Sequence, residues 1–344
     1  MHVRRLMIGL LTLLTAVALG MFVVITCGGS QSAPVSTEWS VTELPLSPFA
    51  ANQLIQAERP GVLIFEGYDP VGDSFAFWRV DVTGGGPTRH APHPKGTTKE
   101  DQLYLAGNGE CYAIRRDETI DHLRPDGSRE RIGTAPGWTR HARPTKDGVA
   151  LVYDHEGVVL CLRGAKVYQA ALPPVVPRLP FQVHCWENTL TVTGTNTVVR
   201  LPMTFEGDAL QFGEPLRFLS DDTPLTAVDP STGDLAIMER LGGKLRVVPG
   251  DPTRATEYKI FTPRGSFSDC AFTSTTFYFS LCTTRWGGLD MRPHEDVYAF
   301  RLTDGSTNRL TALDSFRITL MACRGEDAIF ALQDRTLRFI RPAK

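Results

Sequence analysis

From residue 36 onward the chain is built of short apolar or alternating runs, each closed by Gly, Pro, Asn or Asp. No sustained stripe with helical spacing interrupts them, so the pattern predicts strands and turns. The clearest runs are 62–65 (Val-Leu-Ile-Phe), 111–114, 149–152, 189–192, 234–237, 276–279 and 328–331. A second strand follows each one, at 75–80, 120–123, 158–162, 198–201, 245–248, 297–302 and 337–340.

The seven first runs recur every 38 to 52 residues, with a mean of about 44. That is the length of a four-stranded propeller blade. The fold class predicted is therefore all-β: a propeller of seven blades, each of four antiparallel strands. A ring must close, because an open one exposes sheet edges. The chain ends just after the third strand of the last blade, and residues 38–46 alternate in polarity. That N-terminal segment is expected to supply the missing strand of blade seven.

Several blades share a turn. Asp81-Val82-Thr83-Gly84, Asp126-Gly127-Ser128 and Asp304-Gly305-Ser306 each precede an Arg/Thr-containing outer strand, and Lys146-Asp147-Gly148 leads into another strand. Asp-Gly supplies the positive backbone angles of a tight hairpin. These residues resemble the repeats of TolB-type, WD40-like β-propellers, and the resemblance extends as a pattern over most of residues 50–342. It implies a ring that binds partners on one face.

Residues 1–35 form a separate unit, and 36–344 the propeller domain. Arg4 and Arg5 precede an uncharged run from Leu6 to Thr26, then Cys27-Gly28-Gly29-Ser30. This order resembles a bacterial lipoprotein signal, which would make Cys27 the lipidated residue. Retention as a transmembrane anchor and cleavage with free release are the two other readings. The first two place the domain outside the cytoplasm, tied to a membrane of the bacterial envelope.

Composition changes the picture little. Apolar residues at 42% suit a real core, and 31 Gly with 24 Pro suit many turns. A net charge of −2 gives no footprint for nucleic acid. Beyond Cys27 there are six cysteines, Cys111, Cys161, Cys185, Cys270, Cys282 and Cys323. They could pair in 15 ways in an oxidising compartment or act as small buried hydrophobes. None forms a Cys-x-x-Cys pair, so zinc is disfavoured.

Candidate ligand-binding residues lie where loops enter a blade or join its second and third strands. The segment 283–296 holds Trp286, Asp290, Arg292 and His294; it reads as a binding loop or as a surface hairpin. Segment 89–99 carries His90 and His93, whose spacing outside a helix does not direct both rings at one metal. Tyr68 offers a stacking platform. No nucleophile elbow, zinc-protease motif, phosphate loop or dinucleotide fingerprint occurs. No catalytic residue, metal or cofactor is assigned. The expected function is a non-catalytic scaffold that binds a protein, peptide or other ligand; a propeller hydrolase or lyase and a carbohydrate-binding module are the rivals.

Overall fold

The computed structural model describes residues 34–343 apart from 45, 47–49, 60, 70–73, 91–100, 125, 138–140, 154–155, 179, 181, 241–242, 251, 261–265, 288–289, 313–317 and 334–335. The side chains of 50, 52, 58, 74, 283–287 and 290–294 also lie outside the description. The leader with Cys27, and His93, fall outside it as well.

Seven antiparallel sheets follow one another along the chain, as the repeat predicts. Their inner strands are Ala50–Arg59, Gln102–Leu105, His141–Pro144, Gln182–Trp186, Leu225–Val228, Ser266–Phe272 and Ile318–Ala322, for blades one to seven. All seven run in the same sense along a central channel. The face at which they begin is called here the entry face, and the opposite one the exit face.

The second strands were the easiest to read from sequence, and burial explains why. Each is flanked on both sides by neighbouring blades, so both faces of its pleat are covered. Cys111–Ile114, Val149–Tyr153, Leu235–Met238 and Ile329–Gln333 are buried at every residue. Outer strands alternate or face solvent instead, as in Lys166–Ala171.

Blades pack through seven apolar clusters, one per interface. The largest joins blades seven and one, with Phe65 and Trp78 against Phe330 and Phe339. The thinnest joins blades four and five, where only Val198, Leu235, Ile237 and Val248 are buried among the described residues. Hydrogen bonds supplement that seam. Gln182 Oε1 accepts from the Thr226 backbone N–H at 2.7 Å, and Arg200 Nη2 donates to the Gly233 carbonyl at 3.0 Å.

Closure follows the predicted route. Trp39–Leu44 pairs antiparallel with Thr336–Pro342, from Trp39 opposite Pro342 to Leu44 opposite Leu337. The first described strand thus completes blade seven. Ahead of it, Ser36 N–H donates to the Arg309 carbonyl at 2.8 Å, and Glu38 pairs with Arg301 at 3.0 Å. These contacts tie the incoming chain to blade six before it reaches blade seven.

The aspartate turns form as their sequence requires. Gly127 and Gly305 sit at φ 81° and 70°, and Asp126 and Asp304 each accept the N–H two residues on at 2.8 Å. Two departures from a uniform blade stand out. In blade four, the long strand Thr197–Glu206 pairs with both Ala209–Phe212 and Leu216–Leu219, giving five strands. In blade six, segment 283–296 is ladder rather than loop: Thr276–Gly287 and Asp290–Arg301 pair throughout, up to Gly287 opposite Asp290. Its partner inner strand stops pairing at Ser266 opposite Cys282. The hairpin therefore projects beyond the ring on the entry face.

The six cysteines are free thiols. Burial pushes Cys111, Cys161 and Cys323 up to about 12, which keeps them protonated and inert.

Candidate functional site

A cavity of about 520 Å³ occupies the channel and is lined by the inner strands of all seven blades. Its wall mixes apolar residues such as Leu54, Ala142, Val228 and Met321 with polar ones such as Gln53, Gln56 and Thr319. Against that background, a few polar side chains converge. An inner strand presents alternate residues to the channel, so each blade offers one or two positions there.

Blade three contributes Arg143. Its Nε donates to the Val183 carbonyl at 2.6 Å and its Nη1 to the Ala142 carbonyl at 2.9 Å. Burial opposes its charge, while Asp269 favours it. Guanidinium nevertheless stays protonated in proteins.

Blade six contributes Asp269, facing Arg143 across a ring in which blades three and six are opposed. Its Oδ1 accepts from the Cys270 N–H at 2.9 Å and its Oδ2 from the Leu320 N–H at 2.8 Å. Burial pushes its carboxyl up to about 6; the backbone donors and Arg143 pull it down, and Glu295 pushes the same way as burial. Buried Glu295 is held by the Ser268 hydroxyl, which also bonds Ser280 at 2.6 Å. No ion pair joins Arg143 to Asp269, so two opposed charges face each other across open channel.

Blade four contributes Gln182, His184 and Cys185. His184 Nε2 lies 3.1 Å from the Thr226 hydroxyl, which also contacts Thr193 Oγ1 at 2.6 Å and Gln182 Oε1 at 3.2 Å. This network is complete when His184 carries its proton on Nε2 and Thr226 donates to Gln182. Burial first, and then Arg143, push His184 down to about 3, so it is neutral at physiological pH.

The exit end is narrowed by turns that meet. Gly325 N–H on blade seven donates to Ser231 Oγ on blade five at 2.7 Å. Trp186, also on the cavity wall, rests against Gly233. Lys146, Glu187 and Arg324 surround this end as exposed charges.

The residues singled out from sequence lie elsewhere. Tyr68 stands near the end of the second strand of blade one, edge-on to Phe75 at 5.7 Å between centroids. His90 follows the outer strand of that blade, with its N–H on the Phe77 carbonyl at 2.9 Å. Neither is among the described residues lining the cavity. Trp286, Asp290, Arg292 and His294 are placed on the blade-six hairpin, opposite Met291, Gly287, Arg285 and Thr283 respectively. Of these eight residues, the structure brings four together on one hairpin, puts Tyr68 and His90 on another blade, and leaves Cys27 and His93 outside the described residues. Among the described residues no group of three or more His, Cys, Asp or Glu could hold a metal.

Sequence reasoning missed Arg143, His184 and Asp269. A signal existed: each is a polar residue inside an inner strand, six, five and seven positions ahead of an apolar second-strand run. Only knowledge of which strands face the channel gives that position meaning.

No family model matches the chain, and no curated protein does. Solved structures do. Streptogramin B lyase matches with a TM-score of 0.60 at 13% identity, over 90% of this chain and 100% of the other. Virginiamycin B lyase from Staphylococcus aureus gives 0.58 at 14%, over 89% and 100%. YCF48 from Cyanidioschyzon merolae gives 0.53 at 12%, over 88% and 98%. At such identities these likenesses establish the seven-bladed propeller and nothing about activity.

Proposed function

We propose that this chain is a membrane-tethered, extracytoplasmic binding propeller that captures a small molecule in its central channel. One observation carries the reading: a cavity of about 520 Å³ with a mixed apolar and polar wall, on which Arg143 and Asp269 face each other with no ion pair between them. Compact ligands favour cavities that combine apolar surface with convergent polar groups. The tether rests on the leader, with Cys27 as the lipidated residue. Tyr68, His90 and the hairpin bearing Trp286, Asp290, Arg292 and His294 would stand around the mouth on the entry face, where a protein or peptide partner could also dock.

Two experiments test this. Native mass spectrometry of the full-length protein, released gently from envelopes, should find a small molecule bound, and its absence together with silence in a ligand-observed NMR screen would refute the channel. Palmitate labelling should depend on Cys27, and labelling that persists in Cys27→Ser would remove the lipid tether.

A second reading, acid–base catalysis in the channel, is favoured by Asp269 lying near 6, within reach of a general base. Two structural neighbours are lyases by name. Turnover of a bound ligand that disappears in Asp269→Asn would support it; unchanged ligand after long incubation would not.

A further inference from the structure

The channel reading leaves the ligand's chemistry open, and the wall groups narrow it. Arg143 spends Nε and Nη1 on carbonyls of its own wall, and Nη2 makes no hydrogen bond to the described residues. A cation held this way inside a cavity gains most from an anion that replaces lost water. Asp269 spends one lone pair of each oxygen on backbone N–H groups, from Cys270 and Leu320, which fix it in place. When the carboxyl is ionised, as it mostly is well above pH 6, its remaining lone pairs are acceptors only.

Other polar groups line the cavity as well, among them Gln53, Gln56, Thr145 and Thr319, but these carry no charge. His184 is neutral and already engaged by Thr226, and Gln182 Oε1 is engaged by the same residue. Lys146, Glu187 and Arg324 belong to the exposed exit end. The same cavity is also lined by apolar side chains such as Leu54, Ala142 and Leu320.

We infer that the channel takes an amphoteric small molecule with an apolar body, its carboxylate on Arg143 and its ammonium or equivalent donor on Asp269. This deepens the channel reading and rests on it. A ligand with only one charge would satisfy one wall and leave the other charge desolvated, which is the less favourable arrangement. A zwitterion neutralises both at once without adding net charge to the channel.

The test uses matched probes on the full-length chain. Phenylalanine carries both groups, phenylalaninamide lacks the carboxylate, 3-phenylpropionate lacks the ammonium, and 3-phenylpropanamide lacks both charges. Binding is read by calorimetry and by fluorescence of Trp186 on the cavity wall. Phenylalanine is expected to bind at least tenfold tighter than either singly charged probe. Arg143→Gln should abolish the preference over the amide, and Asp269→Asn the preference over phenylpropionate. Equal affinity for all four probes on the unaltered protein would overturn the inference while leaving a channel that binds small molecules. Failure of every probe, neutral one included, to reach the channel at millimolar concentration would overturn both.

Discussion

A Cβ added at Gly233 would lie 2.4 Å from the indole of Trp186, so the turn of blade five and the channel wall of blade four meet with no room between them. Gly233 also holds φ at +76°, a backbone region that favours glycine. Gly233→Ala should therefore cost about 2–4 kcal/mol from backbone strain and overpacking together. Chemical denaturation measures the loss. A shifted emission of Trp186 in the native state would show that the indole is displaced toward the channel.

Asp327 gathers three hydroxyls, from Thr273, Thr276 and Tyr278, each at 2.8 Å. The carboxylate sits on a turn of blade seven and the hydroxyls on blade six, so the cluster pins neighbouring blades. Asp327→Ala leaves buried donors without their acceptor and should destabilise the fold by about 3–4 kcal/mol. Restoring a single acceptor with Asp327→Asn should recover part of this, seen as an intermediate melting temperature.

Arg309 and Asp296 pair at 2.8 Å, with side chains only 5% and 1% exposed. Removing one partner of such a pair strands the other charge. Arg309→Met is expected to cost about 3–5 kcal/mol, whereas losing the exposed pair Lys166–Asp208, also short at 2.6 Å, should cost far less because solvent screens it. Urea midpoints of Arg309→Met and Lys166→Met decide between them.

Channel groups give opposing pH dependences. Asp269 titrates higher folded, about 6, than its ordinary 3.8, so its contribution is most favourable below pH 4 and is lost as pH rises through 6. His184 titrates lower folded, about 3, than its ordinary 6.5, so its contribution is present above 6.5 and is lost as pH falls toward 3. Between pH 4 and 6 the two slopes cancel in large part, each unopposed proton being worth about 1.4 kcal/mol per pH unit. Asp269→Asn should make the protein lose stability more steeply on acidification over that window, and His184→Gln should do the reverse. Parallel denaturation curves for all three proteins between pH 4 and 6 would contradict this account.

How much of this was legible in the sequence depends on what kind of contact reports itself locally. The Cys111–Ile114 and Ile329–Gln333 strands are buried on both faces, so four or five apolar residues in a row announce them. Asp126-Gly127-Ser128 and Asp304-Gly305-Ser306 close their own hydrogen bonds within three residues, which makes the turns equally plain. The alternation of residues 38–46 marked a strand, and the unfilled place in blade seven identified its partner. Arg143, His184 and Asp269 are different. Each comes from a separate blade, and they acquire a common meaning only when seven strands converge on the channel. Segment 283–296 reads from sequence as a binding loop or a surface hairpin, and the structure gives the hairpin; Gly287-Gly288 and a mixture of charges leave little apolar pattern to reveal its ladder.

Closure by Trp39–Leu44 also sets a clock. During synthesis that strand emerges among the first parts of the domain, while Thr336–Pro342, its one neighbour in the sheet among the described residues, emerges among the last. It must wait as an unpaired edge while the other six blades are made, and the ring cannot lock until the third strand of blade seven is out. The fold thereby tests its own completeness: a chain halted at any earlier blade keeps an open sheet edge that marks it as unfinished.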